Sequence, residues 1–436
     1  MYSKSCSLLL TLTSAVILLA GCMKDKCTTH YTYQIYEPVY LDYAQLRQPV
    51  ASEAPRALKH PGKIYILGGF LFINEVNEGV HVIDNSNPAA PVNKAFISIP
   101  GNVDIAVRSN ILYADSYVDL VAVDITNPEN VAEIKRLENI FPQRIADLGY
   151  YYADSEKGVI TGWRLTDKTQ VIDIPCGQEA QPYYYYWGGL PEIDFAGPVL
   201  AGNTQAPSIT NATINVGQGG SMARFAIVSD YLYVIDNSDM QLISIANPDN
   251  PVIWTKINIG FNIETIFPYK DKLFIGSTTG MYIYDNSNPS QPTQISTFSH
   301  VTSCDPVVAD DRYAYVTLRS GTPCQGFTNQ LEVIDISNPY NPQLVKTYAM
   351  YNPHGIGIDR GKLFICDGQA GLKIYDASDV STIDQHLLLH NGNIHAYDVI
   401  PVATSNVLIL IGQDGLYQYD YSDVRAIRLL SHIPVN

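Results

Sequence analysis

Lys63, Asp104, Arg144, Arg224, Glu264, Asp305, His354 and Asp398 fall in one equivalent slot when the short apolar stretches of this sequence are aligned with one residue of slack at the turn. All eight are charged or titratable, although only 16% of the chain is charged. Gathered around one axis, such a set can hold a polar ligand or an ion through charge-assisted hydrogen bonds. Arg144 next to Arg224 would make a cationic arc, and Glu264 next to Asp305 an acidic one. That division suits a zwitterionic or carboxylated ligand, or a bridged ion. A wet channel whose mixed charges pair with one another accounts for the same residues with no ligand.

Other chemistry is weakly supported. The sequence has no Gly-x-Ser-x-Gly elbow, no phosphate-binding Gly-x-x-x-x-Gly-Lys and no His-Glu-x-x-His. Gly355-Ile356-Gly357 opens a strand and lacks the helix that a dinucleotide site requires. His386 and His390 share a face of an outer strand, where solvated surface explains them. Asp84-Asn85-Ser86-Asn87 spaces oxygens as a calcium loop does, but proline follows where such a loop needs a glycine bend and a late Glu. An Asx-type turn fixed by proline fits better. No cofactor, metal site or catalytic residue is therefore assigned. The formal charge of -16 argues against nucleic acid, which needs a Lys/Arg surplus on some face.

The elements that must position the eight side chains come from one repeated sentence. At 331–342 an alternating apolar run ends in an acid, then in an Asn-Pro turn, then in a second proline. The same pattern stands at 80–91, 120–128 and 281–292, with weaker copies at 242–251, 372–379 and 416–423. Around each lie two strands before and one after, all of four to six residues, with turn residues every ten or so. That predicts an all-β chain. The acid-ending strands stop at Asp84, Asp124, Asp167, Ser244, Asp285, Asp335, Asp376 and Asp420, mostly 40 to 50 residues apart, the length of a four-stranded propeller blade. The expectation is a β-propeller of eight blades over 60–436, with seven as the alternative because the copy ending at Asp167 is poor. Innermost strands line the channel of such a fold, so the eight polar residues would form a ring at one mouth. A Gly, Pro and Tyr-rich insert at 176–221 would rise from the same face, and Tyr183, Tyr184, Tyr185, Tyr186 and Trp187 offer stacking surface to a sugar or peptide.

The repeat resembles that of the LVIVD-repeat family of bacterial and archaeal surface proteins. The likeness rests on Val80-His81-Val82-Ile83-Asp84, Leu120-Val121-Ala122-Val123-Asp124, Met281-Tyr282-Ile283-Tyr284-Asp285, Leu331-Glu332-Val333-Ile334-Asp335 and Leu372-Lys373-Ile374-Tyr375-Asp376. It covers the chain from about residue 60 onward. The resemblance implies a β-propeller and names no reaction.

Residues 1–21 carry Lys4 and an apolar run too short to anchor in a bilayer, which reads as a signal peptide. Leu19-Ala20-Gly21-Cys22 resembles the lipobox of bacterial lipoproteins, which implies a lipid on Cys22 and residues 22–59 as a tether and extended segment. Met23-Lys24-Asp25-Lys26 partly resembles the export signal of Bacteroidetes surface lipoproteins. The expected address is the bacterial outer membrane, periplasmic or surface-exposed. Export permits disulfides. Cys304 and Cys324 are expected to pair, Cys366 to be buried and free, and the pairing of Cys27 and Cys176 stays open. Together these readings point to a non-enzymatic binding or scaffolding lipoprotein with a glycan, peptide or envelope-protein partner. The alternative is a hydrolase or lyase acting on a carbohydrate-type substrate at the channel mouth.

Overall fold

The structure, a computed structural model, describes residues 26–141, 143–145, 149–151, 153–176, 217–301, 306–320 and 328–436. The chain divides into two units, 1–39 with 162–210, and 40–161 with 211–436. The second unit carries the repeats. Among its described residues are six four-stranded antiparallel sheets, each a meander of sequence-consecutive strands, and one six-stranded sheet built on such a meander. In the six-stranded sheet the central four (Pro61–Leu67, Phe70–Glu75, Gly79–Asp84 and Val92–Ser98) make the repeat. Ala51–Glu53 is added at the outer edge and Gln218–Gly219 at the inner.

Each repeat builds its sheet in the same way. Alternation along the third strand sends successive side chains to opposite faces. In Gln330–Asp335, Leu331 and Val333 pack into a cluster with Ile356, Leu363 and Ile365 of the following sheet. Ile334 joins Phe274, Met281 and Ile283 of the preceding sheet. A sheet buried on both faces explains why the runs are nearly continuous in apolar residues. At the strand end the acid turns the chain: Asp84, Asp124, Asp285, Asp335, Asp376 and Asp420 each accept a backbone N–H two residues on. These are Asx turns, as the proline spacing implied. In all seven sheets the pairing of third and fourth strand also slips by one residue just before this turn, as between Val82 and Ile83 or Val333 and Ile334.

The expected eighth blade is where the structure departs from the sequence reading. The described residues give seven repeat sheets. The sheet of Ile105–Arg108, Ile111–Ser116, Asp119–Asp124 and Ala132–Leu137 packs directly on that of Phe225–Val228 to Val252–Asn258 in one apolar cluster. The buried Arg108 fastens the two sheets, donating to Asp230 at 2.6 Å and to the Ile245 carbonyl at 3.3 Å. No place is left between them for the copy ending at Asp167. Its strand, Val159–Pro175, pairs instead with Lys26–Leu41. The remaining described strands of that stretch, Gln143–Ile145 and Gly149–Tyr151, pair with each other. An aligned hydrophobic pattern cannot separate a blade strand from a strand paired elsewhere.

Within the first unit, residues 26–39 and 162–176 form a polar ribbon stapled by a Cys27–Cys176 disulfide. Thr28 donates to Asp173 and Gln34 to Asp167, and Lys168 pairs with Glu37. A two-stranded ribbon is marginal alone, so the staple matters. In the second unit a one-turn helix at Tyr43–Leu46 follows, capped by Asp42. The ring closes without a covalent link. Leu58 bridges Val435, Asn85 and Gln418 exchange side-chain amide bonds at 2.8 and 2.7 Å, and Leu71, Ile73 and Ile83 share a core with Ile409 and Leu416. Cys366 is fully buried and free. Cys22, Cys304 and Cys324 lie outside the described residues.

Replacing Leu331 with Ala should cost about 2–5 kcal/mol, because it leaves a cavity between two sheets. Leu344→Ala, on a half-exposed position of the same sheet, should cost less than about 0.5 kcal/mol. Denaturant unfolding of both variants measures the difference. Equal costs would contradict the face assignment. Peptide mapping without reductant should recover Cys27 joined to Cys176, with Cys366 alkylated only after unfolding.

Candidate functional site

Four of the eight slot residues, Lys63, Asp104, Arg224 and Asp398, come together in the described structure, around a neighbour that the sequence did not suggest. Residues 217–224, the return of the insert, run across the axis where the inner strands meet. Gln218 and Gly219 pair with Ile66 and Tyr65, and Gly217 N–H donates to the Val107 carbonyl at 3.1 Å. Ser221 Oγ accepts from Ile356 N–H at 2.9 Å and donates to Asp398 Oδ1 at 3.3 Å. The Ala223 carbonyl accepts from Ile266 N–H at 2.9 Å. The segment therefore bonds to five sheets and plugs the channel.

Lys63, Asp104, Arg224 and Asp398 hold this plug. Lys63 Nζ donates to the Met222 carbonyl. Asp104, 2% exposed, accepts Arg224 N–H at 2.8 Å and Ile105 N–H at 2.8 Å. The Arg224 guanidinium donates to the Ile235 carbonyl of its own sheet at 2.9 Å. Asp398 also accepts Val399 N–H at 2.9 Å. Gly220 and Gly355 flank this carboxylate so closely that a Cβ on either would collide with it. Beside Asp104, Asp115 and Arg224 lies a cavity of about 40 Å3, room for water and not for a substrate, and a second cavity of about 270 Å3 lies against the plug, lined by Tyr65, Gly219, Gly220, Ala223, Ile266 and Phe267. Of the cationic arc expected from Arg144 and Arg224, only Arg224 has a described side chain. The Arg144 backbone lies in the short strand Gln143–Ile145. Its side chain, Asp305 and the residues from Tyr183 to Trp187 lie outside the described positions.

The electrostatics of the plug are those of buried acids. Burial raises the Asp398 carboxyl to about 6, against the nearby Lys63 ammonium and the Val399 and Ser221 bonds, which lower it. Burial likewise raises Asp104, opposed first by Lys63. His354 goes the other way. It is 8% exposed, and burial together with Arg319 and His395 pushes it down to about 3. It is thus a neutral ring, 3.2 Å from Asn352 Nδ2 and packed against Tyr397, rather than a cation of the ring.

The other side of the mouth is arranged differently. Glu264 is half-buried and lies within electrostatic reach of Arg319 and His300. His300 also feels Glu332, a residue that sequence reasoning passed over as part of the repeat. Glu332 is 5% exposed; its Oε1 accepts from Gln330 Nε2 at 2.7 Å, and its Oε2 has no hydrogen-bond partner among the described residues. Burial raises this carboxyl and lowers the His300 imidazole. A neutral ring beside an acid that resists ionising can both give and take a hydrogen bond. The signal was present in the sequence. The second position of the repeat reads His81, Val121, Gln241, Tyr282, Glu332, Lys373 and Tyr417, a changing residue inside an otherwise constant apolar frame. No group of three His, Cys, Asp or Glu among the described residues could hold a metal ion. His390 bonds the Ala370 carbonyl at 2.7 Å.

Asp398 gives a pH test. Its folded pKa lies above that of the unfolded chain, so the fold binds the extra proton between about pH 4 and 6, and its share of stability falls as pH rises through that window. Asp398→Asn should remove this slope. The gap in stability between variant and parent should shift in the variant's favour by on the order of 3 kcal/mol from pH 4 to 6, then level off. Thermal unfolding across pH measures it, and a gap independent of pH would contradict the buried-acid assignment.

The sequence profile of the LVIVD repeat matches residues 61–96, 101–138 and 305–350. No curated protein matches the chain. Among solved structures, a protein from Lactobacillus plantarum is similar with a TM-score of 0.52 and 10% identity, over 86% of this chain and 96% of that one. The computationally designed Ika8 protein gives 0.48 and 8%, over 88% and 90%. PorZ, a bacterial surface component of the type-IX secretion system of Porphyromonas gingivalis, gives 0.48 and 12%, over 88% of this chain and 39% of that one. At 10% identity the likeness to the Lactobacillus plantarum protein speaks to the fold alone. With its consecutive four-stranded sheets and matched repeats, the chain is a β-propeller protein carrying LVIVD repeats.

Proposed function

We propose that this protein is a binding or scaffolding lipoprotein of the bacterial outer membrane, periplasmic or surface-exposed, tethered through Cys22 and working at one mouth of its propeller without catalysing a reaction. The observation that carries the binding site is the division of the mouth. One side is taken up by the plug, whose carbonyl, hydroxyl and N–H groups engage Lys63, Asp104 and Asp398. The other side keeps Glu264, His300, Arg319 and Glu332 together, with one buried carboxyl oxygen that has no hydrogen-bond partner among the described residues. A buried acceptor of that kind is costly unless something bonds to it. The tether rests on the lipobox-like Leu19-Ala20-Gly21-Cys22. The partner classes are a glycan, a peptide or another envelope protein.

A hydrolase or lyase at the same mouth is the second reading. It is favoured by the His300–Glu332 pair, whose environments push an acid up and a base down.

Labelled palmitate should enter the parent chain and not Cys22→Ser, and only the parent should sediment with membranes. Equal labelling of the two would overturn the tether. A glycan, peptide and metabolite screen on the Cys22→Ser chain should return a ligand that is unchanged after incubation. Its release as cleaved product would favour the enzyme, and no ligand at all would count against the mouth as a site.

A further inference from the structure

We infer that the cavity of about 270 Å3 against residues 217–220 is a second binding site, and that it takes a neutral, flat, two-ring aromatic molecule. Its walls come from three inner strands and the return of the insert. Tyr65 belongs to Pro61–Leu67, Phe225 and Ile227 to Phe225–Val228, and Phe267 and Pro268 to Ile263–Tyr269. Lys63, Asp104 and Asp398 stand at the beginnings of their inner strands, whereas Ile227 and Pro268 stand toward the ends of theirs. The site is thus separate from the charged cluster at the mouth and does not depend on it. Tyr65, Ala223, Ile227 and Ile266 are buried, Phe267 and Pro268 half-buried and Gln218 exposed, so the cavity runs from solvent to a closed floor.

Size and lining select the ligand class. An apolar cavity of ~150 Å3 takes up benzene, so nearly twice that volume accommodates two fused rings. Among the described residues no Asp, Glu, Lys, Arg or His lines the cavity. A charged ligand would therefore leave water without meeting an opposite charge, which is costly. Tyr65, Phe225 and Phe267 put three aromatic rings on the walls, and a flat aromatic guest can stack on such rings or meet them edge-on. The Tyr65 phenol is already hydrogen-bonded to the Val107 backbone, which holds its ring in place.

A polar edge comes from the backbone. Gln218–Gly219 is the edge strand of its sheet and pairs with Pro61–Leu67 on one side. Neighbouring residues of an antiparallel pair alternate, so one of the two turns its N–H and C=O away from that partner, toward the channel. A heteroaromatic ring with a donor and an acceptor on its rim supplies the missing partners. The glycines keep this side clear. A Cβ on Gly217 would strike Tyr65 and one on Gly220 would strike Asp398. At Gly219 a Cβ would lie 3.2 Å from Ala223 Cβ and 3.4 Å from Tyr65 Cδ2, both of which belong to cavity-lining residues. A branched side chain at 219 would thus intrude on the space the ligand needs.

The test is calorimetric titration of the full chain carrying Cys22→Ser at about pH 7. Indole and 2-quinolone are the neutral aromatic probes, 2-naphthoate the anionic arm and 2-decalol the saturated arm of matched size. At least one neutral aromatic should bind at one site per chain, tenfold or more tighter than 2-naphthoate and 2-decalol. Gly219→Val and Phe267→Ala should each weaken that binding tenfold or more. Tyr340→Ala, exposed in an Asx-turn loop between third and fourth strands, should leave it unchanged. Phe267 is half-buried, so its variant keeps the test valid if thermal unfolding shows that Gly219→Val fails to fold. Absence of binding by both neutral aromatics, or full affinity in Phe267→Ala or in folded Gly219→Val, would overturn the site. Equal or tighter binding of 2-naphthoate or 2-decalol would overturn the ligand class.

Discussion

One backbone-to-carboxylate hydrogen bond, made at the end of the third strand of nearly every sheet, sets the geometry on which everything else rests. The acid accepts the N–H two residues on, and just before it the pairing with the fourth strand slips by a residue. The bulge increases local twist and the turn reverses the chain. Each sheet therefore leaves the strand end with the same sense and pitch, and the following inner strand returns to the axis. The acids are ordinary residues made stiff by position: the Ser337 hydroxyl and N–H hold Asp335 below the usual carboxylate range, and the same bonds act on Asp84 and Asp124 from Ser86 and Thr126.

That geometry brings the inner strands together but does not fill the space between them. The filling comes from residues 217–224, and it explains why charged residues stand at the ends of so many inner strands. A backbone segment crossing an axis offers carbonyl and N–H groups with no ladder to join. Lysine and aspartate at the strand ends supply the missing partners, at the cost of burying carboxylates such as Asp104 and Asp398. The plug thus converts half of a polar ring from a surface into an interior.

What was legible in the sequence follows the same division. Leu331, Val333 and Ile334 announce a strand buried on both faces, and Asp335 with Pro339 announces its turn, because both depend on neighbours a few residues away. The strand Val159–Pro175 was misplaced because its partner, Lys26–Leu41, lies more than a hundred residues off and leaves no local mark. Residues 217–224 read Gly-Gln-Gly-Gly-Ser-Met-Ala-Arg, the composition of a linker, although Gly220 is there because Asp398 leaves no room for a side chain. Glu332 was hidden by the repeat itself. Lys63, Asp104 and Asp398 stand out in the sequence as polar residues in equivalent slots, but their partner, the segment 221–224 of the same chain, leaves no local mark.

The closure between the first and last sheets has a consequence for how the molecule comes into being. Asn85 and Gln418 are 333 residues apart, and Ser431 reaches the Pro88 carbonyl across a similar distance. Loop-closure entropy must be overcome before contacts of such separation contribute. Until the sheet Ala396–Val402 to Arg428–Pro434 has been made, the first sheet keeps Leu71, Ile73 and Ile83 without the partners that bury them. A growing or partly threaded chain is therefore an open arc with one apolar flank at each end. Its assembly completes only when the last flank has arrived to meet the first.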